Sequence, residues 1–281
     1  MGQIPFVKMH GTGNDFVLID ARKRRIQDPA RLAARMCHRH FGIGADGVIM
    51  ILESTKADFR MRIFNPDGSE AEMCGNGIRC FAKYCYDAKL TRRKRFEIET
   101  GAGIKTVECT LTKATVGSVR VDMGEPVLQR ERIPMTGPPG MVIGEPLQLP
   151  DGTRFEITAI SMGNPHAVIF VEELDNFPIA KYGPQVENHH LFPNRTNVEF
   201  VKIKNHREII MRIWERGAGE TLACGTGAAA AAVATVLNEL TGRSIKVGVK
   251  GGTIKIEWRE NDNHVYLTGP AVEVFRGEWP S

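Results

Sequence analysis

The sequence predicts a mixed α/β (α+β) fold of two pseudo-symmetric domains, each a curled, mostly antiparallel sheet around a central hydrophobic helix, with the active site in the cleft between them. The first observation behind this is an internal repeat. MRIFNPDGSEAEMCGNG at 61–77 returns as MRIWERGAGETLACGTG at 211–227, a shift of 150 residues. Without a gap, the same shift lays Gly13-Asn14 on Gly163-Asn164, Val48 on Val198, Glu70 on Glu220, Cys74-Gly75 on Cys224-Gly225, and Gly101 with Ile104-Lys105 on Gly251 with Ile254-Lys255. One offset held over about ninety positions marks two equivalent halves, and two copies are too few for a solenoid. The second observation is length: 281 residues suit two domains with ample core. They are placed at 1–122 with 270–281, and at 123–269. The third is an alanine run at 228–232 on a helical segment, apolar on every face, as a helix enclosed by a sheet must be.

In chain order, DFVLID (15–20), a helix at 29–40 after Asp28, DGVIMIL (46–52), FRMRIF (59–64), a helix at 78–90, KTVECTLT (105–112) and SVRVDM (118–123) make up the first half. HAVIFV (166–171), NVEFVKI (197–203), IIMRIW (209–214), a helix at 227–240, TIKIEW (253–258) and VYLT (265–268) make up the second. The strands are short β-branched runs bounded by Gly, Pro, Asn or Asp. Asp28 before Pro29 is a helix-start signal, and alanine has the highest helix propensity.

Composition narrows the function. The formal charge of +4, from 37 Lys and Arg against 33 Asp and Glu, implies no polyanion partner. RKRR (22–25) and TRRKR (91–95) lack the aromatic platforms of a nucleic-acid site and read as solvated ends. The sequence at 1–11 lacks a charged region leading into an apolar one, and no apolar run approaches the roughly 18 residues that span a bilayer, so a cytoplasmic protein without membrane or nucleic-acid partners is expected. Six cysteines at 37, 74, 80, 85, 109 and 224 form no CxxC pair, so reduced thiols and no metal are expected. GIGADG (42–47) matches G-x-G-x-x-G but follows a helical segment instead of a strand, and HGTGNDF (10–16) lacks the Lys-Ser/Thr ending of a phosphate loop.

Cys74 and Cys224 each follow a strand and a polar loop and precede glycines and a helix. At a helix N-terminus, unpaired N–H groups and the macrodipole favour negative charge, an environment that makes thiolates. The amides of Gly75, Asn76, Gly225 and Thr226 are placed by this pattern to cradle a carboxylate. Taken alone, either motif also fits a helix-entry turn with no chemistry. The duplication favours chemistry: two acid/base groups on opposite faces of one carbon can invert it, one thiolate abstracting a proton and the opposite thiol donating one. Asn14 and Asn164 are repeat partners, whereas Asn65 faces Glu215 and Gly47 faces Asn197 in the alignment of the halves. Glu215 beside Arg216 can grip an ammonium and a carboxylate at one end, which suits an amino acid with a second amino-acid head. Surface ion pairs and turn asparagines are the competing explanation.

HGTGNDF, FNPDGSEAEMCGNGIRC, GNPH (163–166), NRTNVEF and WERGAGETLACGTGA together resemble the diaminopimelate epimerases over essentially the whole chain. The resemblance implies a pyridoxal-independent epimerase, without cofactor, that converts LL- to meso-2,6-diaminopimelate in lysine and cell-wall precursor biosynthesis. It further implies Cys74 and Cys224 as the acid/base pair, with His166 and Glu215 supporting their ionisation. Substrate contacts would come from Asn14, Asn65, Asn164, Asn197, Glu215 and Arg216, and from the amides of Gly75, Asn76, Gly225 and Thr226. A homodimer is implied as well. Gly47 stands where some members carry a substrate-contacting Gln, and Phe275 where some carry a Tyr linked to dimer formation. Two other assignments remain in play: another cofactor-independent racemase of the same fold, such as a proline racemase, and a non-catalytic amino-acid-binding or redox protein in which the two cysteines join.

Overall fold

A computed structural model describes residues 3–280, so Met1, Gly2 and Ser281, at the ends of the expected first domain, lie outside the described residues. The chain divides into two compact units, Met1–Asp122 with Thr268–Ser281, and Met123–Leu267. The expected second boundary lay after residue 269. Thr268 and Gly269 instead belong to the first unit, where a Cβ on Gly269 would stand 3.1 Å from Nε of the buried Arg79.

The first unit begins with β1 (Ile4–Gly11), β2 (Asn14–Asp20), α1 (Pro29–Cys37), β3 (Gly47–Leu52), β4 (Phe59–Phe64), the short β5 (Glu70–Ala71), α2 (Gly75–Asp87), β6 (Arg95–Thr100), β7 (Gly103–Thr112) and β8 (Thr115–Gly124). The second contains β9 (Val142–Gln148), β10 (Arg154–Ser161), β11 (Pro165–Phe170), α3 (Ile179–Glu187), β12 (Asn197–Asn205), β13 (Glu208–Glu215), β14 (Gly219–Thr221), α4 (Gly225–Leu237), β15 (Ser244–Val249), β16 (Gly252–Trp258) and β17 (Val265–Gly269), which runs through the boundary. β18 (Val272–Trp279) returns to pair antiparallel with β1.

The strands of each unit follow one pattern. β2 and β3 are parallel, β3 and β4 antiparallel, β4 and β6 parallel, and β6 and β7 antiparallel. In the second unit, β11 and β12 are parallel, β12 and β13 antiparallel, β13 and β15 parallel, and β15 and β16 antiparallel. The parallel steps bring His166 opposite Asn197 and Phe16 opposite Gly47, so the register itself carries the repeat.

The central helices answer to the same offset. α2 packs on β1, β2, β3 and β7, and α4 on β10, β11, β12, β15 and β16. Every residue from Ala228 to Thr235 is buried, and methyl side chains let the surrounding strands approach from all sides. α1 and α3 cover the outer faces. Leu32, Ala33 and Met36 join a core with Val17, Ile19, Val48 and Met50, and Ile179 and Val186 join one with Ala167, Ile169, Val198 and Phe200.

α1 stops at Cys37, short of the expected residue 40, because the amides of Ile43 and Gly44 fold back onto the carbonyl of Met36. That tight return needs glycine: a Cβ on Gly42 would stand 2.2 Å from the carbonyl oxygen of Arg35. α3 is an addition to the helices read from the sequence, and it holds Gly183 and Pro184, both poor helix formers. It forms because Trp214 packs where a Cβ on Gly183 would be, at 2.5 Å from Cγ. β1, β5, β6, β9, β10, β14, β15 and β18 are also additions to the elements read from the sequence.

Candidate active site

In the first unit, β5 leads directly to Cys74, which takes the N-cap position of α2 with extended backbone (φ −141°, ψ 120°). Its Sγ accepts from the Gly77 amide at 3.4 Å and donates to Asn14 Oδ1 at 3.5 Å. The same Asn14 oxygen accepts from Asn76 Nδ2 at 3.2 Å. Cys74, Gly75, Asn76 and Asn14 are thus assembled at one helix end, where the backbone amides favour an anion.

Asn14 is itself held. Its Nδ2 donates to Asp46 Oδ2 at 2.8 Å, and Asp46 accepts from Arg39 at 2.7 Å. Lys8, buried on β1, pairs with Asp15 at 2.6 Å and also donates to the Gly44 carbonyl. Burial raises the Asp15 carboxyl, but Lys8, Asp46 and Arg39 outweigh it and hold the group below the usual carboxylate range. This network was missing from the sequence expectations, because a lysine on a strand reads as solvent-facing. Asn65 occupies the turn after β4 and donates to Ser69 Oγ at 3.0 Å, apart from the Asn14–Asn76 cluster in its bonding.

Cys224 takes the N-cap position of α4 with similar extended backbone (φ −125°, ψ 123°) but without a side-chain cap hydrogen bond, and its Sγ lies 3.3 Å from Thr226 Oγ1. Here the expected thiolate-making environment is corrected. Burial pushes the Cys224 thiol well above its ordinary pKa and the Glu215 and Glu199 charges push it further, against weaker pulls from the Thr226 hydroxyl and the Gly227 amide.

His166, fully buried on β11, stands between two partners: Nδ1 is 2.6 Å from Glu199 Oε1 and Nε2 is 3.0 Å from Asn164 Oδ1. Glu199 was not among the expected site residues. Alternation along β12 makes it read as solvent-facing, yet that strand is buried on both faces at this point. Burial raises its carboxyl while His166 lowers it, and Oε2 has no hydrogen-bond partner among the described residues. Its Oε1 also lies against the first turn of α4, 2.7 Å from where a Cβ of Gly227 would be.

The remaining expected residues gather near the end of β13. Asn197 donates to the Pro165 carbonyl at 2.9 Å and accepts from the Arg216 amide at 3.0 Å. Arg216 Nη1 donates to the Asn194 carbonyl at 3.0 Å, and Glu215 accepts from the Thr221 hydroxyl. Glu187, at the end of α3, fixes the turn that follows by accepting from the Gly217 amide at 2.9 Å and from Trp214 Nε1 at 2.7 Å. Gly47 starts β3 with little space for a side chain, since a Cβ would stand 3.0 Å from the Phe64 carbonyl oxygen.

The other thiols serve packing. Burial pushes Cys37, Cys80 and Cys109 up to about 12 and Cys85 well above its ordinary value. Among the described residues no group of three or more His, Cys, Asp or Glu could hold a metal ion, and no helix is long and apolar enough to cross a membrane.

The family model described as diaminopimelate epimerase matches residues 6–129 and 158–274, a span that includes both cysteine motifs. The chain belongs to the diaminopimelate epimerase family. A diaminopimelate epimerase from Pelotomaculum thermopropionicum is 56% identical over 277 residues, covering 98% of each chain. Two solved structures share the fold at low identity. A phenazine biosynthesis protein of the PhzF family from Bacillus anthracis has a TM-score of 0.70 at 18% identity over 100% of both chains. A probable proline racemase from Agrobacterium radiobacter has a TM-score of 0.71 at 15% identity, covering 98% of this chain and 92% of that one. For this member of the diaminopimelate epimerase family, those two likenesses speak to the two-domain fold alone.

Proposed function

We propose that this chain is a pyridoxal-independent isomerase that interconverts LL- and meso-2,6-diaminopimelate, with Cys74 and Cys224 as its two acid/base groups. The observation that carries this is the equivalence of the two cysteines. Each caps the N-terminus of a buried helix at the same repeat position, in a chain 56% identical to a diaminopimelate epimerase.

Inverting a stereocentre by proton removal requires one group in its basic form and another still holding a proton. The buried Cys224 supplies the proton in the direction where Cys74, half-buried and capped by an amide, acts as thiolate. The reverse reaction exchanges the roles. The amides of Gly75 and Asn76 at the start of α2, and those of Gly225 and Thr226 at the start of α4, are the carboxylate-binding groups in this reading, since a helix N-terminus favours developing negative charge. Asn14, Asn65, Asn164 and Asn197, with Glu215 and Arg216, hold the substrate, and the one-sided Glu215–Arg216 pair recognises its distal amino-acid head. His166, held by Glu199, keeps Asn164 oriented and supports proton transfer at Cys224 together with Glu215.

The protein acts in the cytoplasm, within lysine biosynthesis, as a homodimer. Exposed Val272, Val274 and Phe275 on β18 support the dimer, and within the chain the Phe275 ring packs edge-on to Phe6.

The deciding experiment offers the chain LL-diaminopimelate and L-proline in deuterium oxide. Solvent label is expected at the inverted carbon of diaminopimelate only, and racemisation of proline alone overturns the assignment. Cys74→Ser and Cys224→Ser are each expected to lower turnover by about 10²- to 10⁴-fold while substrate still binds. Full activity in either variant removes the two-base mechanism and favours a binding or redox protein.

A further inference from the structure

Position 79 breaks the internal symmetry directly below the first cysteine. Its repeat partner is Ala229, one of the buried alanines of α4, but Arg79 places a full guanidinium in the interior at 0% exposure. Nη1 donates to the Gly75 carbonyl at 2.9 Å and to Asn76 Oδ1 at 3.0 Å, Nη2 to Thr12 Oγ1 at 3.1 Å, and Nε to the Pro270 carbonyl at 3.1 Å. All four acceptors are neutral, and no carboxylate pairs with Arg79 among the described residues. A buried cation without a counter-ion is expensive, so the site that keeps one has a use for the charge. Burial pushes this guanidinium's pKa down, and negative charge on Cys80 or Cys74 pushes it up.

Space for the group is built in. A Cβ on Gly11 would stand 3.0 Å from Nη2 and one on Gly269 3.1 Å from Nε. Thr12, in left-handed backbone (φ 52°), accepts from Arg79 and donates to Asn76 Oδ1 at 3.3 Å. With two donors on its Oδ1, the Asn76 carboxamide has one orientation, with Nδ2 turned to the oxygen of Asn14 that also meets Cys74.

We propose that Arg79 is a positioning residue that prepares the N-terminus of α2 for an anion: it locks the Asn76 carboxamide and supplies a fixed positive charge whose counter-ion is the Cys74 thiolate or the substrate carboxylate. This rests on the function proposed above. It also gives the two equivalent thiols unequal surroundings. A permanent cation lies beneath Cys74, whereas the carboxyls of Glu199 and Glu215 lie near Cys224. When the Cys74 thiol gives up the proton it donates to Asn14, the charge left behind is therefore better compensated than one on Cys224.

The test measures alkylation of Cys74 by anionic iodoacetate and by neutral iodoacetamide in the full chain without substrate, with the site of modification read by peptide mass, alongside kcat and KM for epimerisation. In Arg79→Met the iodoacetate-to-iodoacetamide ratio is expected to fall by about fivefold or more and kcat/KM by about 100-fold, whereas Arg79→Lys keeps the ratio and recovers part of kcat. Asn76→Asp gives the guanidinium a carboxylate partner in nearly the same volume. It is expected to fold and to lose the anion preference as Arg79→Met does. A parent-like ratio in folded Arg79→Met overturns the proposal, as does one in Asn76→Asp should Arg79→Met fail to fold. A parent chain that alkylates as expected but does not epimerise diaminopimelate overturns the function and leaves Arg79's role standing.

Discussion

Cys74 and Cys224 hold the same repeat position and the same extended cap backbone, yet they differ in surroundings: one is half-buried beside a neutral carboxamide, the other buried beside two glutamates. A helix N-terminus contributes only a modest stabilisation of negative charge, and burial in an apolar enclosure readily exceeds it. The same balance makes the four packing thiols a source of pH dependence. Their folded pKa values are raised, to about 12 for Cys37, Cys80 and Cys109, so the folded state holds its protons more tightly than the unfolded state. The stability this gives is complete below the unfolded thiol pKa of about 8.5 and is lost as pH rises toward about 12. Urea unfolding midpoints are expected to fall between about pH 8 and pH 10.5, and Cys80→Ala to flatten that decline, since it removes a fully buried thiol. An unchanged slope in the variant would clear Cys80 of responsibility.

At the scale of elements, the offset is kept more faithfully by the structure than by the residues. α2 and α4 cover Gly75–Asp87 and Gly225–Leu237, and α1 and α3 cover Pro29–Cys37 and Ile179–Glu187, both pairs at the Cys74-to-Cys224 spacing. α3 was therefore legible in the sequence through its partner α1, although its own Gly183-Pro184 argued against a helix. Gly183→Ala would drive a methyl into the Trp214 ring. It is expected to lower stability by about 1–3 kcal/mol and to shift tryptophan emission as the Trp214–Glu187 hydrogen bond is strained. An emission spectrum and midpoint equal to the parent's would mean that α3 slides freely over β13. Ala230→Leu in α4 tests the enclosed helix: with no exposed face, it is expected to cost a similar 1–3 kcal/mol, roughly, whereas a neutral change would mean the sheet is not closed around α4.

For the whole molecule, the exposed apolar residues of β18 set the expected assembly. Val274→Glu places a charge on a residue 55% exposed in the isolated chain, so the fold is expected to survive and the proposed self-association to be lost. Sedimentation is expected to find a dimer for the parent and a monomer for the variant. A parent that sediments as a monomer sinks the dimer. Full activity in a monomeric variant would place catalysis within one chain.

The sequence by itself determined the duplication, the family, the cysteine motifs at the helix starts and the apolar character of α4, because each is written in spacing and residue type along the chain. It left out Glu199, Lys8 and Arg79, polar groups on segments where pattern predicts either solvent or alanine. Their roles depend on which atoms surround them. Burial on both faces of β12 raises the Glu199 carboxyl, an aspartate across β1 and β2 pairs with Lys8, and glycines at 11 and 269 make room for a guanidinium. Protonation state is likewise a tertiary property. Desolvation and neighbouring charge act through space, so two cysteines with the same local sequence grammar come to stand in different electrostatic surroundings.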